Sequence, residues 1–113
     1  MNTVVLVGRL TKDPELRERA TETAVAVLRL AVPRGRDRDD AVYVDVVCFD
    51  HQAVSAAAFL GRGRLVGVTG RLEHREWTAP DGTRRSRHEV VAQRLDYLDA
   101  PARPSGVSDP AQG

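Results

Sequence analysis

Five aromatic side chains and sixteen arginines carry most of the binding chemistry available to this 113-residue chain. Trp77 follows an arginine-rich stretch and precedes a turn, a poor place for a core tryptophan. With Tyr43 and Phe49 it forms a set of flat rings suited to stacking on nucleobases, every one of which offers a π face. Arg9, Arg71, Arg75, Arg84, Arg85 and Arg87 are the matching phosphate candidates, since a guanidinium pairs with phosphate in a planar, bidentate way and can also stack. Phe59 and Tyr97 are expected to pack rather than bind, and Arg62 and Arg64, flanking Gly63, to complement a helix end.

Other chemistries find no support. Cys48 and His51 stand three apart, too few ligands for a zinc site, and Cys48 falls on a core-facing strand position. Gly61, Gly63 and Gly67 have the wrong spacing for a dinucleotide loop and lead into a strand instead of a helix. No serine or cysteine has a base-and-orienter set, and the acids are scattered through loops. The expectation is a binding protein with no cofactor, no metal and no catalytic constellation.

The elements that must position these residues are short and mostly extended. Val42 to Phe49 alternates: Val44, Val46 and Cys48 share an apolar face, while Tyr43, Asp45, Val47 and Phe49 share the other. Two of the five aromatics thus fall on an outward face. The continuous apolar run from Thr3 to Leu10 reads as a strand buried on both faces or at a subunit contact. Thr11 to Arg17 carries the turn signal Asp13-Pro14. Thr23 to Val32 reads as a second strand, followed by the charged loop at 34–41. Asp50 is a candidate N-cap for an alanine-rich helix over Gln52 to Leu60, ended by Gly61. A fourth strand from about residue 64 runs to Thr78, Pro80-Asp81-Gly82-Thr83 signals a hairpin, and Arg84 to Leu98 returns as a fifth. Strand, strand, strand, helix, strand, strand is the order of the all-β, five-stranded OB barrel, with its one short helix between strands three and four.

Composition sets the boundaries. Residues 1–99 read as one domain, and 100–113, rich in Pro, Ala, Ser and Gly, as a short disordered tail. Net charge is only +1, yet from Arg62 to Arg94 eight arginines face four acids. No apolar run approaches a membrane span and Met1 to Val5 lacks the order of a signal peptide, so a cytoplasmic, nucleoid-associated location is expected.

Several separated blocks resemble the bacterial single-stranded DNA-binding protein family. They are Met1 to Arg17, Leu30-Ala31-Val32, Val46 to Phe49, Phe59 to Gly63, Val66 to Leu72, Trp77-Thr78, Asp81-Gly82 and Glu89 to Ala92, together covering roughly residues 1–98. The resemblance implies an OB fold assembled as a homotetramer that binds single-stranded DNA with little sequence preference, in replication, recombination and repair. It assigns stacking to Tyr43, Phe49 and Trp77. The chain departs from the family in three places. The 34–41 loop has arginines where many members carry a tryptophan, Leu28 stands where phenylalanine is common, and Ser108 to Gly113 lacks the acidic, phenylalanine-ended tip. The last difference puts recruitment of replication or repair proteins in doubt and suggests a secondary, shorter paralogue. The rival reading is an OB-type module whose groove binds RNA or a protein.

Overall fold

The computed structural model describes residues 1–18, 23–36 and 40–99. Seven elements follow in order: β1 (Val4–Leu10), β2 (Glu15–Glu18), β3 (Ala24–Pro33), β4 (Ala41–Phe49), α1 (Asp50–Phe59), β5 (Leu65–Thr78) and β6 (Arg84–Tyr97). The strands lie in the order β1-β5-β6-β4-β3-β2, and an additional β1–β3 pairing closes the first five into a ring. This is the expected barrel, with the helix between the third and fourth of its ring strands.

Closure depends on a close backbone approach. Arg9 and Leu10 pair with Ala31 and Leu30, and a Cβ on Gly8 would lie 2.6 Å from the Ala31 carbonyl oxygen. Only a residue without a side chain allows β1 to cross β3 there. A second close approach occurs at Gly70, where a Cβ would come within 2.2 Å of the Val91 carbonyl oxygen. Here the β5–β6 register shifts: Thr69 pairs with Arg94 but Gly70 with Ala92, leaving Gln93 as the extra residue of a bulge. The Gln52 side chain of α1 donates to the Gln93 carbonyl at 3.1 Å and so holds the bulge against the helix.

The core lies inside the ring. Leu10, Leu28, Leu30, Val46, Cys48, Val66, Val68 and Val90 are almost fully buried, and α1 closes one end with Ala53 and Ala56. Burial pushes the Cys48 thiol up to about 11, and its sulfur donates to the Ala26 carbonyl, so it behaves as a small core group. Leu28 is likewise wholly interior. Arg64 knots the helix end to the barrel, donating to the Phe59 and Asp99 carbonyls and to the Asp99 carboxylate at 2.8–2.9 Å. Of the two arginines expected to serve the helix end, Arg64 bonds its last carbonyl and the Arg62 side chain stays exposed.

Five local expectations are corrected. Glu15 to Glu18 is a strand, not a continuation of the turn, because β3 outruns β1 and leaves an edge for it: Glu15 pairs with Val27 and Arg17 with Val25. The helix begins at Asp50, with Phe49 at the cap position and no side-chain cap. Asp50 itself takes a left-handed φ of 55°, because β4 runs into the helix without a loop. The helix ends at Phe59, with Leu60 already extended. Phe59 does not pack in this chain and is 66 % exposed, whereas Tyr97 lies against the helix with its hydroxyl 2.7 Å from Ser55 Oγ. Finally, of the two readings of the first strand, burial on both faces is overturned and the subunit contact is left: β1 is buried on one face only, with Val5 and Val7 exposed on the other. The tail at 100–113, including its expected disorder, and residues 37–39 of the charged loop lie outside the described residues. No helix among the described residues is long and apolar enough to cross a membrane.

Candidate nucleic-acid interface

The outward faces of β3, β4, β6 and β5 form one continuous surface, and strand pairing fixes which side chains meet on it. Across β3 and β4, Val25 lies opposite Phe49, Val27 opposite Val47, Arg29 opposite Asp45 and Ala31 opposite Tyr43. Parallel pairing of β4 with β6 sets Val47 beside Val91. Across β6 and β5, Val91 meets Arg71, Glu89 meets Glu73, Arg87 meets Arg75 and Arg85 meets Trp77. The result is a shallow trough with a floor of valines, aromatic rings along its length and arginines between them.

The rings are accessible. Tyr43 is 57 % and Trp77 40 % exposed, and each has a guanidinium over it: Arg29 lies 5.6 Å from the Tyr43 centroid and Arg87 5.8 Å from that of Trp77. These distances suit cation–π contact. Phe49 is half-buried and lines a hollow with Val47, Glu73, Arg75, Glu89 and Val91.

Each cation in the trough has a carboxylate partner. Asp45 bridges Arg29 at 3.1 Å and Arg87 at 3.8 Å, Arg75 lies 3.5 Å from Glu89, and Arg71 pairs with Glu73. Arg85 reaches Asp81 at 3.9 Å and Arg17 reaches Glu15 at 3.3 Å. All these arginines keep more than 40 % of the side chain exposed. Where both partners are exposed such pairs contribute little to stability, about 0–1 kcal/mol, and the contact of Arg75 with the buried Glu89 is long, so an arriving phosphate can compete for the guanidinium. The pairs hold the arginines in place without holding them tightly.

Of the nine site residues expected from sequence, Tyr43, Phe49, Trp77, Arg71, Arg75, Arg85 and Arg87 share this surface. Arg9 lies in the same cross-strand row as Tyr43, joined through Ala31, but its guanidinium bonds the Gly63 carbonyl at 2.9 Å and reaches Asp99 at 3.5 Å. Arg84 is not among them. It pairs with Thr78 on the opposite face of the β5–β6 hairpin, 2.6 Å from Glu76 and on the same side as the stacked rings of His74 and His88. Two arginines absent from that expectation do belong to the surface: Arg29, and Arg17 beside Val25 and Val27. Period-two reading of Arg84 to Val91 separates Arg84 from Arg85 and Arg87, and the same rule sets Arg29 in phase with Val25 and Val27.

Known proteins match this chain in both sequence and fold. The profile of the single-strand binding protein family matches residues 1–98. A single-stranded DNA-binding protein of Clostridium tetani is 46% identical over 103 residues, covering 88% of this chain and 71% of that protein. Single-stranded DNA-binding protein 3 of Clostridium acetobutylicum is 45% identical over 103 residues, covering 88% and 72%. Among solved structures, a deletion variant of the single-stranded DNA binding protein from Thermus aquaticus superposes with a TM-score of 0.72 at 30% identity. That match takes in 93% of this chain but only 44% of the Thermus chain, so the chain spans less than half of that protein. Matched over nearly all its described length by both sequence and fold, the chain belongs to the single-strand binding protein family.

Proposed function

We propose that this protein binds single-stranded DNA in the trough without sequence-specific readout along most of its length, as a non-enzymatic protector of exposed strands in replication, recombination and repair. Bases stack on Trp77, Tyr43 and Phe49 while Arg29, Arg71, Arg75, Arg85 and Arg87 exchange their carboxylate partners for phosphates. The observation that carries this reading is the juxtaposition on one sheet face of exposed rings with loosely paired arginines. A duplex keeps its base faces stacked internally, so the rings have nothing to take hold of there. Nothing in the trough favours a protein or RNA ligand over this one. Residues 1–99 would form the binding domain, acting in the cytoplasm.

The same reading includes self-assembly, most simply into a tetramer. Among the described residues no strand pairs the second edge of Val4 to Gly8, and Val5 and Val7 are exposed beside it. An open apolar edge of this kind invites a second copy. Sedimentation at micromolar concentration should show an oligomer; a monomer would remove this part.

Titration with oligo-dT, following Trp77 fluorescence at low and moderate salt, tests the binding reading. Quenching by single strand, weakened by salt and absent with duplex, is the expected result. An unquenched Trp77 with no binding would reject the trough as the site.

A further inference from the structure

Glu89 is the buried charged side chain among the described residues, only 2 % exposed, and it lies in the middle of the trough. Its pairing is incomplete. Arg75 approaches Oε1 with both Nε and Nη1 at 3.5 Å, long for a charge-assisted contact, and Oε2 has no hydrogen-bond partner. A buried carboxylate oxygen left unpaired is costly and calls for a reason. Two hollows, of about 280 and 240 Å³, flank it, and Val47, Arg75 and Glu89 line both. Phe49 and Val91 wall the first, Val25 and Val27 the second. Each therefore sets apolar side chains for a flat ring beside the Glu89 carboxyl group and the Arg75 guanidinium.

We propose that Glu89 reads the edge of one bound base, its free oxygen accepting a hydrogen bond from an exocyclic amino group. The inference rests on the trough being the single-strand site. When a phosphate draws Arg75 away, the carboxylate is uncovered to the base that follows. An ionised carboxylate accepts but cannot donate, so it pairs with the N4 amino group of cytosine. Thymine and uracil present the O4 carbonyl there, acceptor against acceptor, and their one edge donor, N3–H, is flanked by two carbonyls that repel a carboxylate. The trough thus carries a local preference for amino-bearing bases within an otherwise tolerant surface.

The test compares oligo-dC with oligo-dU, pyrimidine strands that differ only at the base edge, at neutral pH and matched salt, with oligo-dT as reference. Wild type should bind oligo-dC at least about tenfold more tightly than oligo-dU, the scale of one hydrogen bond to a charged group. Glu89→Gln, whose amide donates as readily as it accepts, should bring the ratio close to one. A carboxylate that only positions Arg75 would change both affinities together and leave their ratio alone. An unchanged ratio in Glu89→Gln, or no preference for oligo-dC in wild type, overturns the proposal; the second reading stands even if the variant does not fold. Normal oligo-dT quenching alongside either failure confines the error to Glu89, whereas loss of oligo-dT binding to wild type would reject the trough and this inference with it.

Discussion

Replacing Trp77 by alanine should separate binding from folding. The ring sits on the β5–β6 hairpin, opposite Arg85, 40 % exposed and outside the core cluster. Its noted ring contact is the Arg87 guanidinium at 5.8 Å, an arrangement that contributes about 0.5–1 kcal/mol at an exposed site. Truncation should therefore lower unfolding free energy by no more than about 1 kcal/mol. The effect on DNA should be larger, because a base stacked on this ring contributes about 1–3 kcal/mol, or roughly 5- to 150-fold in affinity per occupied site. Trp77→Phe keeps a π face and should recover much of the loss. Trp77 is the only tryptophan, so the assay is anisotropy of a labelled oligo-dT at fixed salt, paired with thermal melts by circular dichroism. Wild-type affinity in Trp77→Ala would refute the stacking reasoning. A large fall in Tm would show instead that the ring is structural, contrary to its exposure.

Three further outcomes follow from the geometry. Arg29→Ala should weaken oligo-dT binding and reduce the slope of log affinity against log salt by about 0.7, whereas Arg84→Ala, on the opposite hairpin face, should leave that slope unchanged. Gly70→Ala drives a Cβ into the Val91 carbonyl and should cost about 1–3 kcal/mol or more, read as a fall in Tm. The hydrogen bond from Arg64, with the Leu65 amide and nearby charges, holds the Asp99 carboxyl below its ordinary value. A depressed carboxyl stabilises the fold above its unfolded pKa and loses that contribution as pH falls through the folded one. Melts from neutral pH downward should therefore show a steeper acid loss in wild type, below about pH 4, than in Asp99→Asn.

Much of the site was readable locally because a strand alternates with a fixed period. Tyr43, Asp45, Val47 and Phe49 were bound to share a face whatever their neighbours, and Pro80 to Thr83 to turn the chain. The turn forms as expected: Ala79 and Thr83 close it, the Asp81 carboxylate accepts from the Thr83 amide and hydroxyl, and Gly82 takes a φ of 88°. The same rule, applied to β6, would have divided Arg84 from Arg85. That miss came from grouping arginines by proximity in sequence, where charge accumulates without regard to face.

Taken alone, the sequence determined the number and order of the ring strands, the helix between the third and fourth, the hairpin and the two faces of β4, since each depends on residues within one turn or strand. Only the tertiary structure decided which outward faces adjoin. The β4–β6 pairing joins segments more than forty residues apart, aligning Val46 and Val47 with Val90 and Val91, and no local pattern encodes that register. From it follow the sharing of Asp45 by Arg29 and Arg87, and the burial of Glu89 between the Phe49 hollow and the β3 valines. The β2 edge strand and the bulge at Gly70 belong to the same class, because both are set by pairing between segments that no local pattern aligns.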